Sequence, residues 1–206
     1  MSITEALVAA VPEGPGRAWL VEQVGRAAFA PAFAAAGRKL GRAEISAAAA
    51  AAICAAGLRW PVTGADECGR AALVLGAIDG VPDPVGFVRD LVRRGELGER
   101  QAVLRVLAAL PAPARFVDVA IDACRSNVAT VFAAIACDND YPARELPAPA
   151  FHQLVIKALF TGAPVARIAG LAARVDDELI RMVDAFISER RAAGRSIPDD
   201  VALIRR

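Results

Sequence analysis

Three scarce side chains crowd into one short region of this chain. Tyr141, the only tyrosine, lies in IACDNDYPAR (residues 135–144). His152, the only histidine, and Lys157, one of two lysines, lie just downstream in PAFHQLVIKALF (residues 149–160). A compact ammonium with a tunable pKa, a phenol and nearby carboxylates are the parts of an anion-binding corner. They are also the parts of general acid–base or imine chemistry.

As a binding corner the pattern assigns six residues. Asn127 and Asn139 donate and accept hydrogen bonds, Tyr141 stacks, and Lys157 and Arg167 supply positive charge to an anionic group. Gln153 is four positions from Lys157 and shares its helix face. All of these but Arg167 have a structural alternative. Asp138, Asn139 and Asp140 form a polar turn at a helix end, with Asn139 available as a left-handed cap, and Tyr-Pro halts the helix. Tyr141 is equally a buried anchor, and Gln153 and Lys157 equally a solvated face. Ser126 or Asn127 is most simply an N-cap, and His152 a capping or surface side chain. Lys157 stands out because arginine supplies nearly every other cation: among 24 basic residues only Lys39 and Lys157 are lysine.

No assembled catalytic set is present. The chain lacks a Ser-His-Asp order, a phosphate-cradling glycine loop, a His-Glu-x-x-His motif and a dinucleotide fingerprint, and no cofactor is implied. Cys54, Cys68, Cys124 and Cys137 are scattered without a Cys-x-x-Cys pair, which argues against a zinc fold or disulfide framework and favours reading them as small hydrophobes. A net charge of +1 gives no field to gather nucleic acid. The opposing reading is an arginine clamp built from Arg174, Arg181, Arg190, Arg191, Arg195, Arg205 and Arg206. The composition is 56% hydrophobic, but alanine carries much of it. The longest apolar run, ISAAAAAAICAAG (residues 45–57), is shorter than the ~20 residues that span a bilayer and reads as a buried, closely packed helix. The N-terminus carries Glu5 and no basic residue before Arg17, which is wrong for a secretory signal. A cytoplasmic protein without a transmembrane segment is expected.

The elements that must position these residues are helices. Apolar periodicity near 3.6 recurs along the chain with no alternating strand pattern, so the fold is all-α. Helices are expected at residues 4–10, 16–30, 31–36, 43–56, 66–78, 83–93, 98–109, 112–123, 127–137, 149–161, 165–171 and 176–192, with a terminal turn near Asp199. They form a single domain over residues 1–206, arranged as an α-α superhelix of HEAT-like antiparallel pairs or as an irregular bundle. Three stripes carry the core around the corner: Val128, Val131, Phe132 and Ile135; Phe151, Leu154, Val155, Ala158 and Leu159; and Leu179, Met182, Val183, Phe186 and Ile187.

Four segments, RRGELGERQAVLRVLAALPAPARF, ACRSNVATVFAAIACDNDYPARELP, FHQLVIKALFTGAPVARIAGL and ELIRMVDAFISERRAAGRSIPDDVALI, together resemble the EboA family over about residues 86–204. The family pattern falls on Arg125, Asn127, Asn139, Tyr141, Pro142, Gln153, Lys157, Arg167, Glu189, Arg190 and Arg191. The chain departs from it at Asp140, where proline is expected, and at His152, where asparagine is expected. The second departure argues against His152 as a catalytic base. The resemblance implies an accessory protein of a bacterial or plastid gene cluster for secondary-metabolite traffic, with no defined chemistry of its own. The expected partners are a small-molecule metabolite or cluster-encoded proteins, and no nucleic acid. The rival expectation is an enzyme using Lys157 as general base or imine-forming amine, assisted by Asp138 or Tyr141.

Overall fold

The computed structural model describes residues 1–26 and 28–205; Ala27, inside one expected helix, and Arg206, in the arginine clamp, lie outside the described residues. Every named element is helical, and among the described residues the only β pairing is an isolated bridge between Glu44 and Gly64. The fold is all-α. It divides into two compact units, Met1–Val119 and Ala120–Arg206.

In the first unit, α1 (Ile3–Ala10), α2 (Pro15–Gln23), α3 (Phe29–Leu40), α4 (Ala47–Ala55), α5 (Ala65–Ala77), α6 (Pro84–Arg94) and α7 (Leu97–Val106) follow one another. Helix α5 is the hub, packed by α1, α3 and α7. It can be, because it presents Gly69, Ala71 and Ala72 where neighbours press closest: a Cβ on Gly69 would fall 2.0 Å from Leu40 Cδ1. The alanine-rich run departs from expectation. Only Ala50 and Ile53 of α4 are buried, while Ala47, Ala48, Ala51 and Ala55 face out. Alanine favours helix intrinsically and loses little by exposure, so this helix needs only one packed edge. It starts at Ala47, later than expected, because Ile45 is drawn into extended pairing by its N–H bond to Thr63 O at 2.9 Å.

The expected helix over 16–30 stops at Gln23, where Gly25 turns the chain with φ of 81°. The short helix expected at 31–36 grows to Phe29–Leu40, held at its start by Phe29 stacked on Phe33 at 4.9 Å.

The second unit carries the end of α8 (Val117–Cys124), then α9 (Ala129–Ala136), α10 (Tyr141–Glu145), α11 (Ala148–Thr161) and α12 (Asp177–Ala192). Helix α11 packs on α9 and α12. The three apolar stripes are the core here: apart from Val128, exposed at the start of α9, and half-buried Met182, every residue in them is buried. Two local expectations are corrected. The DNDYPAR segment holds a short helix, since Pro142 at the first turn starts α10 although it cannot extend α9. The expected helix over 165–171 is two 3₁₀ turns, Val165–Arg167 and Leu171–Arg174, separated by Gly170 at φ 68°.

Candidate functional site

The corner begins with a change of backbone direction after α9. Asp138 adopts φ of 49°, so the left-handed position belongs to it and not to Asn139. Its N–H donates to Arg167 O at 2.8 Å, and its carboxylate accepts from Arg167 Nε at 2.7 Å and from the same guanidinium's Nη2. This fork pairs the α9 end with the 3₁₀ turn and raises the Arg167 pKa above its ordinary value, chiefly through the side-chain hydrogen bond. An acid opposing the helix dipole is thereby explained by a local cation.

Asn139 and Tyr141 are interior residues, 2% and 0% exposed. Asn139 Nδ2 donates to Ala134 O and its Oδ1 accepts from Tyr141 N–H, both at 2.9 Å. One amide thus satisfies a carbonyl near the end of α9 and an orphan N–H at the start of α10. Burial, reinforced by Glu145, pushes the Tyr141 phenol well above its usual pKa, so it stays neutral.

Lys157, on α11, does different work. Its Nζ donates to Cys124 O at 2.9 Å and Ser126 O at 2.7 Å, closing the C-terminal end of α8, and stands 5.0 Å from the Phe132 ring centre. An ammonium has three donors, so one remains beyond these two carbonyls. Burial pushes its pKa down, opposed in part by Cys124.

Beside Lys157 opens a cavity of about 570 Å³, the size of a small-metabolite pocket. Ile121, Leu154, Pro147, Pro149 and Ala150 give it an apolar wall. Its polar groups are Lys157, Gln153 and Arg125, with Cys124 among them. Arg125 is 77% exposed and only loosely paired with Asp122 at 3.6 Å, leaving it able to swing across the opening. Burial pushes the Cys124 thiol up to about 12, so it contributes an inert surface and not a nucleophile. Gln153 also borders an adjoining cavity of about 450 Å³ with His152 and Asp176.

The six candidates therefore divide. Gln153 and Lys157 meet at the cavity. Asn127 is exposed in the turn between α8 and α9, where Ser126 Oγ accepts from Val128 N–H at 3.2 Å and the helix starts two residues later than expected. Asn139 and Tyr141 brace the corner from inside, and Arg167 answers Asp138. His152 is buried at 4% exposure, not the surface or capping side chain expected, with Nε2 3.2 Å from Asp176 Oδ2. The α8 residues and the two prolines that shape the cavity were missed, because nothing in an apolar stripe or a Pro-Ala-Pro turn marks a wall. Arg125 had one signal, its place in the family pattern. Among the described residues no cluster of metal-ligating side chains forms, and no helix is long and apolar enough to cross a membrane.

A family model described as "Metabolite traffic protein EboA" matches residues 16–204, beginning well before the stretch in which the resemblance was visible by motif. No curated protein and no solved structure matches the chain.

Proposed function

The chain belongs to the EboA family, and from that premise we propose that it is a non-enzymatic, cytoplasmic accessory protein of metabolite traffic that holds a small ligand in the cavity beside Lys157. The ligand has an apolar body and an anionic group. The observation that carries this reading is the Lys157 ammonium, anchored on two backbone carbonyls at the wall of a largely apolar cavity with one donor left over. Gln153 adds a hydrogen bond and Arg125 a mobile second charge. Asn139, Tyr141 and Arg167 act at one remove by fixing the segment that joins α9 to α11, and Asn127 sits in the turn whose neighbouring carbonyls Lys157 grips. The ligand belongs to a secondary-metabolite processing or export system.

Native mass spectrometry of the protein purified gently from cells expressing its gene cluster tests this. A discrete small-mass adduct is expected, and Arg125→Ala with Gln153→Ala removes it without unfolding the chain, since both side chains are exposed. An adduct indifferent to both substitutions puts the ligand elsewhere. A bound protein without any adduct makes the chain a scaffold for a cluster-encoded partner.

The lowered Lys157 pKa favours a second reading, an enzyme with Lys157 as base or amine nucleophile. Against it stand the two carbonyls, which accept from the protonated amine and hold it in that form. Borohydride trapping with carbonyl metabolites tests the amine and a pH–rate profile of Lys157→Met tests the base: a covalent adduct at Lys157 or a profile abolished by the substitution establishes the enzyme, and lack of both leaves the binding protein.

A further inference from the structure

The first unit holds a polar cavity of about 290 Å³ that the reading above does not use. Its floor is made of buried charge. Arg70 is 6% exposed and Asp66 8%, and Arg70 Nη1 donates to Asp66 Oδ2 at 2.5 Å. Next to them Glu67 accepts from Arg105 Nε, also at 2.5 Å, and burial pushes the Glu67 carboxyl above the usual range against the pull of Arg105. Burying two ion pairs is unfavourable unless their remaining donors and acceptors are met. Those of Arg70 are not: its Nε is buried without a hydrogen-bond partner.

The backbone is cut to fit around this pair. A Cβ on Gly64 would lie 2.6 Å from Asp66 Oδ1, and one on Gly37 2.8 Å from Arg70 Nη2. Neither contact is tolerable without movement, so the glycines bring main chain against the charges. Gly98 lies on the open side, where a Cβ would meet Arg70 Nη1 at an ordinary 3.4 Å.

The lining charges specify a ligand class. Arg42 and Arg70 face Glu44, Asp66, Glu67 and Glu96 around the cavity. The two lining guanidinium groups, with Arg105 behind Glu67, face four carboxylates and leave one net negative charge, which disfavours a simple anion. A simple cation would leave the Arg70 donors unmet. We propose that this cavity is a second ligand site, which takes a small molecule carrying both a protonated amine and oxygen acceptors, an amino acid or an amino sugar. The oxygens satisfy Arg70 on the floor, and the amine sits among the carboxylates, with exposed Glu44 the principal partner at the rim.

Calorimetric titration of the full chain with L-serine, glucosamine, glucose and acetate tests the assignment. At least one amine binds, and glucose and acetate bind at least about tenfold more weakly, as loss of a charge-assisted hydrogen bond entails. Serine or glucosamine as the stronger ligand tells a carboxylate acceptor from a hydroxyl one. Glu44→Gln weakens the amine by a similar factor. Gly98→Ala sets a methyl group against Arg70 Nη1 at the cavity wall while favouring helix α7, so it weakens binding without lowering Tm. Equal binding of all four probes, no binding by either amine, or binding unmoved by either substitution overturns the proposal.

Discussion

At the scale of single residues, Asn139 shows how a polar side chain that resembles a ligand contact can be a structural brace. Removing its amide in Asn139→Ala leaves the Tyr141 N–H and the Ala134 carbonyl buried and unpaired, at about 1–3 kcal/mol each if neither finds water. The variant is expected to lose about 2–4 kcal/mol in urea unfolding, and a loss below ~1 kcal/mol would show that the corner relaxes around the gap. The sequence marked this residue as important and could not say which way its amide points, because a turn amide and a groove amide carry the same letters. The thiols were partly legible. The scattered cysteines were expected as small hydrophobes, which fits buried Cys68, Cys124 and Cys137 and not Cys54. Cys68 and Cys124 are buried with pKa values pushed up to about 12 by desolvation, while Cys54 is exposed. Iodoacetamide followed by mass spectrometry should modify Cys54 in the native protein and leave Cys68 and Cys124 untouched. Their folded pKa values lie above the ordinary thiol value, so the folded state holds these protons more tightly. Stability from this source is whole below pH ~8.5 and falls as pH rises toward about 12. A denaturation midpoint that does not fall over that window would contradict the burial.

At the scale of elements, helix interiors were legible and helix ends were not. The stripes on α9, α11 and α12 follow from apolar spacing alone, since each helix must bury one face. The ends depend on which carbonyl or carboxylate waits nearby. By sequence Pro142 only halts a helix; in the structure it also starts α10, because Asn139 Oδ1 accepts from the Tyr141 N–H and Arg174, from a distant 3₁₀ turn, donates to Ala143 O and Leu146 O. Asp176 is a case where the end was readable: it opens the helix expected over 176–192 and caps it, accepting from Leu179 N–H at 2.9 Å. Its second oxygen faces buried His152, a link that periodicity does not reveal. Asp176→Ala is expected to lower stability by about 1–2 kcal/mol through loss of the cap, and Asp176→Ser to recover most of it. Failure of serine to recover stability would assign the loss to the His152 contact and not to the helix end.

At the scale of the whole molecule, charge decides among the broad classes of partner. The chain carries one net positive charge, so any attraction to nucleic acid has to come from a local concentration of arginine. The C-terminal arginines that form such a concentration on paper are largely engaged within the chain. Arg174 is bound to the carbonyls of Ala143 and Leu146 and lies 4.6 Å from the Phe151 ring centre. Arg181 is paired with Glu178, Arg205 with Asp184, and Arg190 donates to Ser196 O over the Phe186 ring. Binding a phosphate with any of these competes with a contact already made, to a carboxylate for Arg181 and Arg205 and to a backbone carbonyl for Arg174 and Arg190, and each phosphate contact must also repay ordering of the side chain. Among the described residues of the clamp Arg191 and Arg195 are left, and two do not make a stripe. Fluorescence anisotropy with a labelled DNA duplex and a single strand is therefore expected to show no binding even at low ionic strength. Binding that appears there and weakens steeply with salt, with a slope reporting several neutralised phosphates, would restore the arginine clamp and require these internal contacts to open. Its absence would favour the two proposed sites, one mostly apolar beside Lys157 and one mostly charged around Arg70, over the arginine clamp.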